Sequence, residues 1–475
     1  MVTRKMMGIV CLIIAGFFAD AQDTAVIQKL SLQQAVDIAI KNNLDVQQSD
    51  LATQRARVGY RQAKANMLPN INGTVNHGIN QGRSIDPFTN SYINQSLTNA
   101  DYNLSGGIVL FNGLLIQNNI KLNNYAYEAS KLEYQQFKDN LTLDIILTYL
   151  QILNNEDQLK QSLNQADITR QQVARLEVMN NDGAIAPSDL FDLRGQLAGD
   201  ELSAVNSRNT LESSKLNLAQ LMNVPYSRLL QVERLNAEQL PVQYEGNIDG
   251  IYQTALTELA LVKAAVLRTK SADKAVKVAR GDMFPVLSLN GGLSTNYSSA
   301  ATSQRFLNFN LDSVGFVKGT NQSVLFRNDN FAFDKIGYFD QFKNNYGTGV
   351  SIGLRIPILN GLTARNRVAT AKIDKRNFEL IEENTRIKLR QAIEQAYFNM
   401  TAARERYEAT TKQVNAFRES FRAAEVKFNS GAINSVVYLT SKNFLDRANV
   451  ALIIAKYDYV LRTKILDYYQ VKPLW

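Results

Sequence analysis

The chain has 475 residues, 45% hydrophobic and 20% charged, and a formal net charge of +8. It holds one histidine and one cysteine, too few for a histidine metal cluster or a disulfide. The positive excess is spread through both halves, which argues against nucleic acid as a partner, and no glycine-rich phosphate cradle precedes a helix, so neither a cofactor nor an enzymatic activity is expected.

Arg4 and Lys5, the apolar run from Met6 to Phe18 and the small-x-small site Ala19-Asp20-Ala21 predict a secretory signal peptide over residues 1–21. The run is too short to span a membrane. Cys11 lies inside it without the small-residue context of a lipobox, so the mature chain is expected to carry no thiol, disulfide or lipid anchor. Removing Arg4, Lys5 and Asp20 leaves a charge of +7. Downstream, no segment approaches about 18 uninterrupted apolar residues. If the mature protein enters a membrane, it must cross as strands.

Ser31-Leu32-Gln33-Gln34 has the form of a helix-capping box. A helical stretch of about 36 residues follows to Asn66, and Pro69 ends it. The period then changes to two. Ile71, Val75 and Ile79 alternate with Asn70, Asn72, Thr74, Asn76 and Asn80, and Tyr102, Leu104, Ile108 and Leu110 repeat the pattern before Asn112-Gly113. These predict strands over about 69–82 and 101–112, with an apolar face and an asparagine-rich face.

No proline falls between Gly113 and Gly183. A helix over about 113–181 would be roughly 100 Å long at about 1.5 Å per residue. Ile145, Ile152, Leu159, Ala166 and Val173 recur every seven residues along it, the mark of helices packed side by side with a left-handed supercoil. After Gly183 and Pro187 a shorter returning helix carries Leu190, Leu197, Ala204, Leu211 and Leu218 at the same period. The stretch Asn223 to Gly250, with Pro225, Pro241 and Gly246, reads as a linker.

The plan then repeats. A helix over about 251–282 leads to Phe284-Pro285, and strands are expected over about 285–298 and 346–358 from the alternation of Leu287, Leu289, Leu293 and of Val350, Ile352, Leu354, Ile356. A long helix over about 361–429 follows, with Ile393, Met400, Tyr407, Val414, Phe421 and Phe428 at the seven-residue period, and Tyr438, Leu445, Leu452, Tyr459 and Leu466 continue it in a returning helix. The same 70-residue distance separates Gly113 from Gly183 and Gly361 from Gly431. The mature chain is therefore read as two structural repeats, 22–246 and 247–475, each far longer than a solenoid unit of about 20 to 50 residues. The second copy has an aromatic-rich insertion at 298–345, expected as a long loop that packs on itself as a cap or, alternatively, binds a ligand.

Polar-in, apolar-out strands of about 10 residues suit a transmembrane barrel, although a half-buried sheet in a soluble domain shares the pattern. Four strands cannot close a roomy barrel alone. In lipid an open edge would leave backbone groups unpaired at a total on the order of tens of kcal/mol, so protomers would have to join edges.

The order of these features resembles the TolC family of outer-membrane efflux proteins. The resemblance covers essentially the whole mature chain: the opening Leu32-Gln33-Gln34-Ala35-Val36 with Ala39 and Asn43, the strand starts at Leu68-Pro69 and Phe284-Pro285, the strand exits at Phe111-Asn112-Gly113 and Leu359-Asn360-Gly361, and the helix turns at Gly183 and Gly431. It implies a mainly α fold with a β-barrel part: long antiparallel coiled-coil helices forming an α-helical barrel, four transmembrane β-strands per protomer and an internal two-fold repeat. It further implies a homotrimer in the outer membrane of a Gram-negative envelope, with a periplasmic extension. The partners would be outer-membrane lipid, a periplasmic adaptor (membrane fusion) protein and an inner-membrane transporter.

In this family the turns like those at Asp182-Gly183 and Gly431 to Asn434 form the periplasmic tip and gate. Aspartates just after the turn often make rings there. Asp189 occupies that place and Asp192 stands one helical turn on, while the second copy has Val437 and Thr440 instead. Either the two aspartates form an anionic ring, or they only favour a helix N-terminus. The rival to the whole reading is a secreted periplasmic coiled-coil adaptor or scaffold.

Overall fold

The computed structural model describes residues 29–85, 90–94, 96–234, 244 and 246–472. The leader expected at 1–21 and Pro241 of the linker lie outside them. Nine helices and eight strands are described: α1 (Leu32–Asn42), α2 (Leu44–Ala65), β1 (Asn70–Asn80), β2 (Arg83–Ile85), β3 (Tyr92–Asn94), β4 (Leu97–Phe111), α3 (Leu115–Asn181), α4 (Pro187–Leu221), α5 (Ile248–Glu258), α6 (Ala260–Gly281), β5 (Val286–Ser298), β6 (Thr302–Phe316), β7 (Ser323–Lys335), α7 (Tyr338–Asn344), β8 (Gly347–Arg355), α8 (Thr363–Asn429) and α9 (Ser435–Tyr469). The duplication is explicit in the lengths: α3 and α8 have 67 residues each, α4 and α9 have 35 each.

Each helix expected upstream of a strand is in fact two. Ser31 makes the capping box with Gln34 as expected, but the first stretch breaks at Asn43, whose extended backbone is held by its own Oδ1 accepting from the N–H groups of Asp45 and Val46. The second breaks at Leu259, also extended, with its side chain buried. A cap can thus restart a helix without any proline.

The described residues form two compact units, those within 29–54, 128–267 and 380–472 in one and those within 55–127 and 268–379 in the other. In the first, the seven-residue stripes are the core. Ile145, Ile152, Ala166 and Val173 of α3 are buried, as are Ile393, Met400 and Val414 of α8 and Leu190, Ala204, Leu211 and Leu218 of α4. Ile145, Tyr149 and Ile152 pack with Leu32, Val36 and Leu218 in one cluster, and Ile393 and Met400 with Ile251, Tyr459 and Leu466 in its counterpart. Burying a Leu or Ile side chain stabilises by about 1.5–3 kcal/mol, so each turn of the stripe adds to the association.

In the second unit the strands form one antiparallel sheet in the order β1-β4-β5-β8. Its register sorts the faces. Val75 pairs with Tyr102, Leu104 with Leu293 and Leu289 with Ile352, whereas Asn76 pairs with Asp101, Asn103 with Ser294 and Asn290 with Ser351. Because paired residues share a face, one side is apolar and the other polar. Within the chain most of the apolar side is uncovered, with Ile71, Val75, Ile79, Val350 and Ile352 all at least 65% exposed, while α7 packs on Tyr102 and Tyr297 at one end. His77 pairs with Ala100 on that face.

The insertion is not a self-packed loop. β6 and β7 form a two-stranded ribbon whose Phe306, Phe309, Phe316, Phe331 and Phe333 remain exposed, since a ribbon has no second layer to cover them. The short α7 takes over where β8 stops short of β5. The buried Gln341 amide accepts from Ser298 N at 2.9 Å and donates to Ser298 O at 3.0 Å, as a neighbouring strand would.

Candidate functional site

The residues singled out in the sequence fall at two kinds of place. Pro69 and Pro285 immediately precede β1 and β5. Gly113 and Gly361 lie between the last strand and the long helix of each copy, in the left-handed region at φ 65° and 61°, each followed by a leucine of positive φ. Thus the strand-to-helix corner is the same in both copies.

The other place is the pair of helix reversals. α3 ends with Ala184 N bonded to Met179 O and Gly183 N to Asn180 O; α8 ends with Ala432 N bonded to Lys427 O and Gly431 N to Phe428 O. Gly183 and Gly431 have φ 66° and 74°, the left-handed C-terminal cap that glycine adopts without a Cβ penalty. Pro187 is the first residue of α4, whose N-cap Ala186 supplies no side-chain bond, whereas Asn434 caps α9 by accepting from Val437 N at 3.2 Å. Asp182 is exposed beside its turn.

The structure brings the two reversals together. Asp189 Oδ1 accepts from Ser435 N at 3.4 Å and Asp192 Oδ2 from the Ser435 hydroxyl at 3.0 Å. These carboxylates of α4 therefore serve the N-terminus of α9, where unpaired N–H groups and the helix dipole favour negative charge. Sequence reading considered only their own helix or a ring. It also missed Arg175 of α3, which donates to the Asn429 carbonyl at 3.2 Å, a cation on the last turn of α8.

Behind these bonds Val173, Leu176, Leu190, Leu193 and Tyr438 form an apolar cluster, with the Tyr438 ring stacked on Phe428 at 4.5 Å. A cavity of about 360 Å³ opens among Arg175, Met179, Ile185, Asp189, Phe428 and Asn434. No group of three His, Cys, Asp or Glu among the described residues is arranged to hold a metal ion, and no described helix is long and apolar enough to cross a membrane.

A sequence profile described as outer membrane efflux protein matches residues 35–224 and 251–466, one block in each copy. The toxin and drug export protein A of Aggregatibacter actinomycetemcomitans is 21% identical over 456 residues, covering 93% of this chain and 87% of that protein. Among solved structures, CusC superposes with a TM-score of 0.74 at 15% identity, covering 96% of both chains. VceC from Vibrio cholerae, an outer membrane protein, superposes with a TM-score of 0.73 at 12% identity, covering 94% of this chain and 97% of that one. At such identities the structural likeness establishes the fold.

Proposed function

This chain belongs to the outer membrane efflux protein family, and from that premise we propose that three copies assemble into a passive exit duct through the outer membrane. Each protomer contributes four strands to a twelve-stranded barrel, and the helices of the three continue it as a periplasmic tunnel. The observation that carries this reading is the four-stranded sheet. It has an apolar face that is largely uncovered, a polar face, and β1 and β8 at the two ends of its order. A lone sheet of this kind is untenable in lipid, where every backbone group needs a partner. Joining β1 of one copy to β8 of the next closes the ring, with the asparagine-rich side lining water.

The duct performs no catalysis and holds no cofactor. An inner-membrane transporter supplies the energy, and a periplasmic adaptor engages the reversals around Gly183 and Gly431. Opening separates the helix pairs there, with Asp189 and Asp192 of three copies placing negative charge at the constriction. Drugs, export substrates and ions are all compatible with so generic a lining.

Membrane fractionation tests the reading. A carbonate-resistant outer-membrane pool with heat-modifiable oligomers supports the duct, and a soluble periplasmic pool supports the scaffold instead. Cysteines replacing Asp182 and Asn434, cross-linked between neighbouring copies, are expected to stop export. Full export with the cross-link formed counts against gating at the tip.

A further inference from the structure

The β6–β7 ribbon has two unlike faces, and its bulges make them so. Residues paired across two strands share a face. Phe331, Phe333 and Leu325 of β7 alternate without a slip and lie on one side, where Phe331 pairs with Phe306. Strict alternation along β6 would set Phe309 on the side away from both Phe306 and Phe316. The register shifts at Leu307 and Val314 instead bring Phe306, Phe309, Leu311 and Phe316 to the face of Phe331, which is how a bulge re-aims side chains. The opposite face is polar over most of its length. There Arg305 pairs with Asp334 at 2.8 Å, Asn330 Nδ2 donates to Asn308 Oδ1 at 2.9 Å, and Asn328 Nδ2 donates to Asp312 Oδ2 at 3.4 Å; Val324 and Phe326, next to the turn, are its apolar exceptions.

The aromatic face thus gathers five phenylalanines and two leucines, each about half bare. At about 200 Å² apiece this leaves on the order of 700 Å² of apolar surface in water, close to the roughly 800 Å² that each partner gives to a stable interface. Its centre is charged: Arg327 Nε lies 2.7 Å from Asp329 Oδ1, and the guanidinium stands 4.4 Å from the centre of the Phe309 ring. Charges in the middle of the face are costly in hydrocarbon, which argues against lipid as its cover. A second copy of the face suits it, offering a carboxylate to the guanidinium and a guanidinium to the carboxylate.

The ribbon is rooted at the end of β5 remote from Pro285. Ser299 N donates to Thr98 O at 2.8 Å, Thr98 N donates to Ser299 Oγ at 2.9 Å, and Ile336 N donates to Ala301 O at 3.1 Å. In the duct this end is the outward mouth. β7 has 13 residues, about 40 Å at roughly 3.3 Å per residue, whereas a twelve-stranded barrel is on the order of 25 Å wide from its strand spacing and tilt. Each ribbon is long enough to reach the axis.

We propose that the ribbons of three copies meet over the outer mouth through their aromatic faces, forming a turret that cargo must part on its way out. The proposal rests on the duct reading and adds a constriction at the end opposite the helix reversals. Assembly of the duct itself brings three ribbons to one rim, where tethering holds them at effective concentrations of about millimolar. No partner arriving from outside has that advantage.

Single cysteines distinguish the two faces. Leu311→Cys falls on the aromatic face and Asn310→Cys beside it on the polar one, and the sequence's own cysteine, Cys11, lies in the expected leader. In full-length chain purified from outer membranes, oxidation is expected to link copies through Leu311→Cys and to leave Asn310→Cys unlinked. Arg327→Glu is expected to cut the Leu311→Cys link about fivefold, and adding Asp329→Arg to restore it. If Leu311→Cys does not assemble while the wild type does, Leu325→Cys on the same face decides in its place.

Assembled oligomers without the link, or with equal linkage from both faces, overturn the turret and leave the duct standing. A missing link, with Leu311→Cys shielded from a water-soluble maleimide in outer-membrane vesicles and reactive in detergent, overturns it in favour of lipid. A wild-type chain that forms no oligomers overturns the duct reading and the turret with it.

Discussion

The Ser435 hydroxyl donates to the Asp192 carboxylate at 3.0 Å, joining residues 243 positions apart, one from each copy of the repeat. This bond, with the longer one from Ser435 N to Asp189, makes the two helix reversals a single structure. In the proposed duct the same pair of carboxylates serves two roles, capping α9 and charging the constriction.

Those roles separate by mutation. Ser435→Ala removes a hydrogen bond to a charged group, worth about 1.5–3 kcal/mol, and leaves both carboxylates. Conductance in planar bilayers is expected to rise by about tenfold in open probability, with cation preference intact. The double variant Asp189→Ala, Asp192→Ala is expected to lose that preference. Unchanged cation selectivity in the double variant would sink the anionic ring.

The glycines differ in what surrounds them. A Cβ on Gly113 would lie 2.6 Å from Phe284 Cβ, whereas a Cβ on Gly183 meets nothing within 4 Å, though both have positive φ. Gly183→Ala should cost only the backbone penalty of about 1–2 kcal/mol, and Gly113→Ala a further roughly 1–3 kcal/mol from overpacking. Thermal melting of the purified protein checks this. Equal shifts for the two variants would contradict the crowding at the strand-to-helix corner.

Tyr149 ties the α3 core to the chain's beginning and to the linker. Its hydroxyl lies 2.9 Å from Leu30 O and 2.7 Å from Glu233 O, and burial pushes its pKa up to about 12. A raised folded pKa on a neutral acid means stability that is complete below the unfolded value of about 10 and is lost as pH rises through the folded one. Tyr149→Phe should lose about 1 kcal/mol at neutral pH. Urea midpoints across the alkaline range should show the wild-type advantage shrinking between pH 10 and about 12. A constant gap would rule out Tyr149 as the group responsible.

Gln341→Leu keeps the volume of the side chain but removes both bonds to the Ser298 backbone, at a cost of about 1–3 kcal/mol for the buried groups left behind. Limited proteolysis should then cut at the base of the β6–β7 ribbon before any helix. Wild-type protection of that segment in the variant would show that α7 holds the β5 edge by other means.

What could be read in advance followed from unbroken periodicity. Asn70, Asn72 and Asn76 against Ile71 and Val75 gave the strand faces, and Ile145 to Val173 gave the buried stripe, because each pattern runs without a slip. The ribbon escaped since bulges between Phe306 and Asn308 and between Ser313 and Gly315 shift the alternation out of phase twice. The break at Leu259 escaped because a buried leucine carries no local signal, and its extended backbone is set by tertiary packing. At the tip, the glycines and Pro187 were legible as local conformational demands, while the bonds from Asp189 and Asp192 to Ser435 connect distant segments. The buried Lys442 did leave a trace, a charge one helical turn beyond Tyr438 on the buried face of α9, which also carries Ser435 and Thr463.

In the proposed duct, identical copies complete one another's walls around a continuous passage. Electron cryomicroscopy of the full chain extracted from outer membranes tests it most directly. The expected result is a threefold particle in which β1 of each copy pairs with β8 of the next and an open bore runs along the axis to the helix reversals. A monomer, or an assembly whose sheets meet by any other edge with no axial bore, would contradict it.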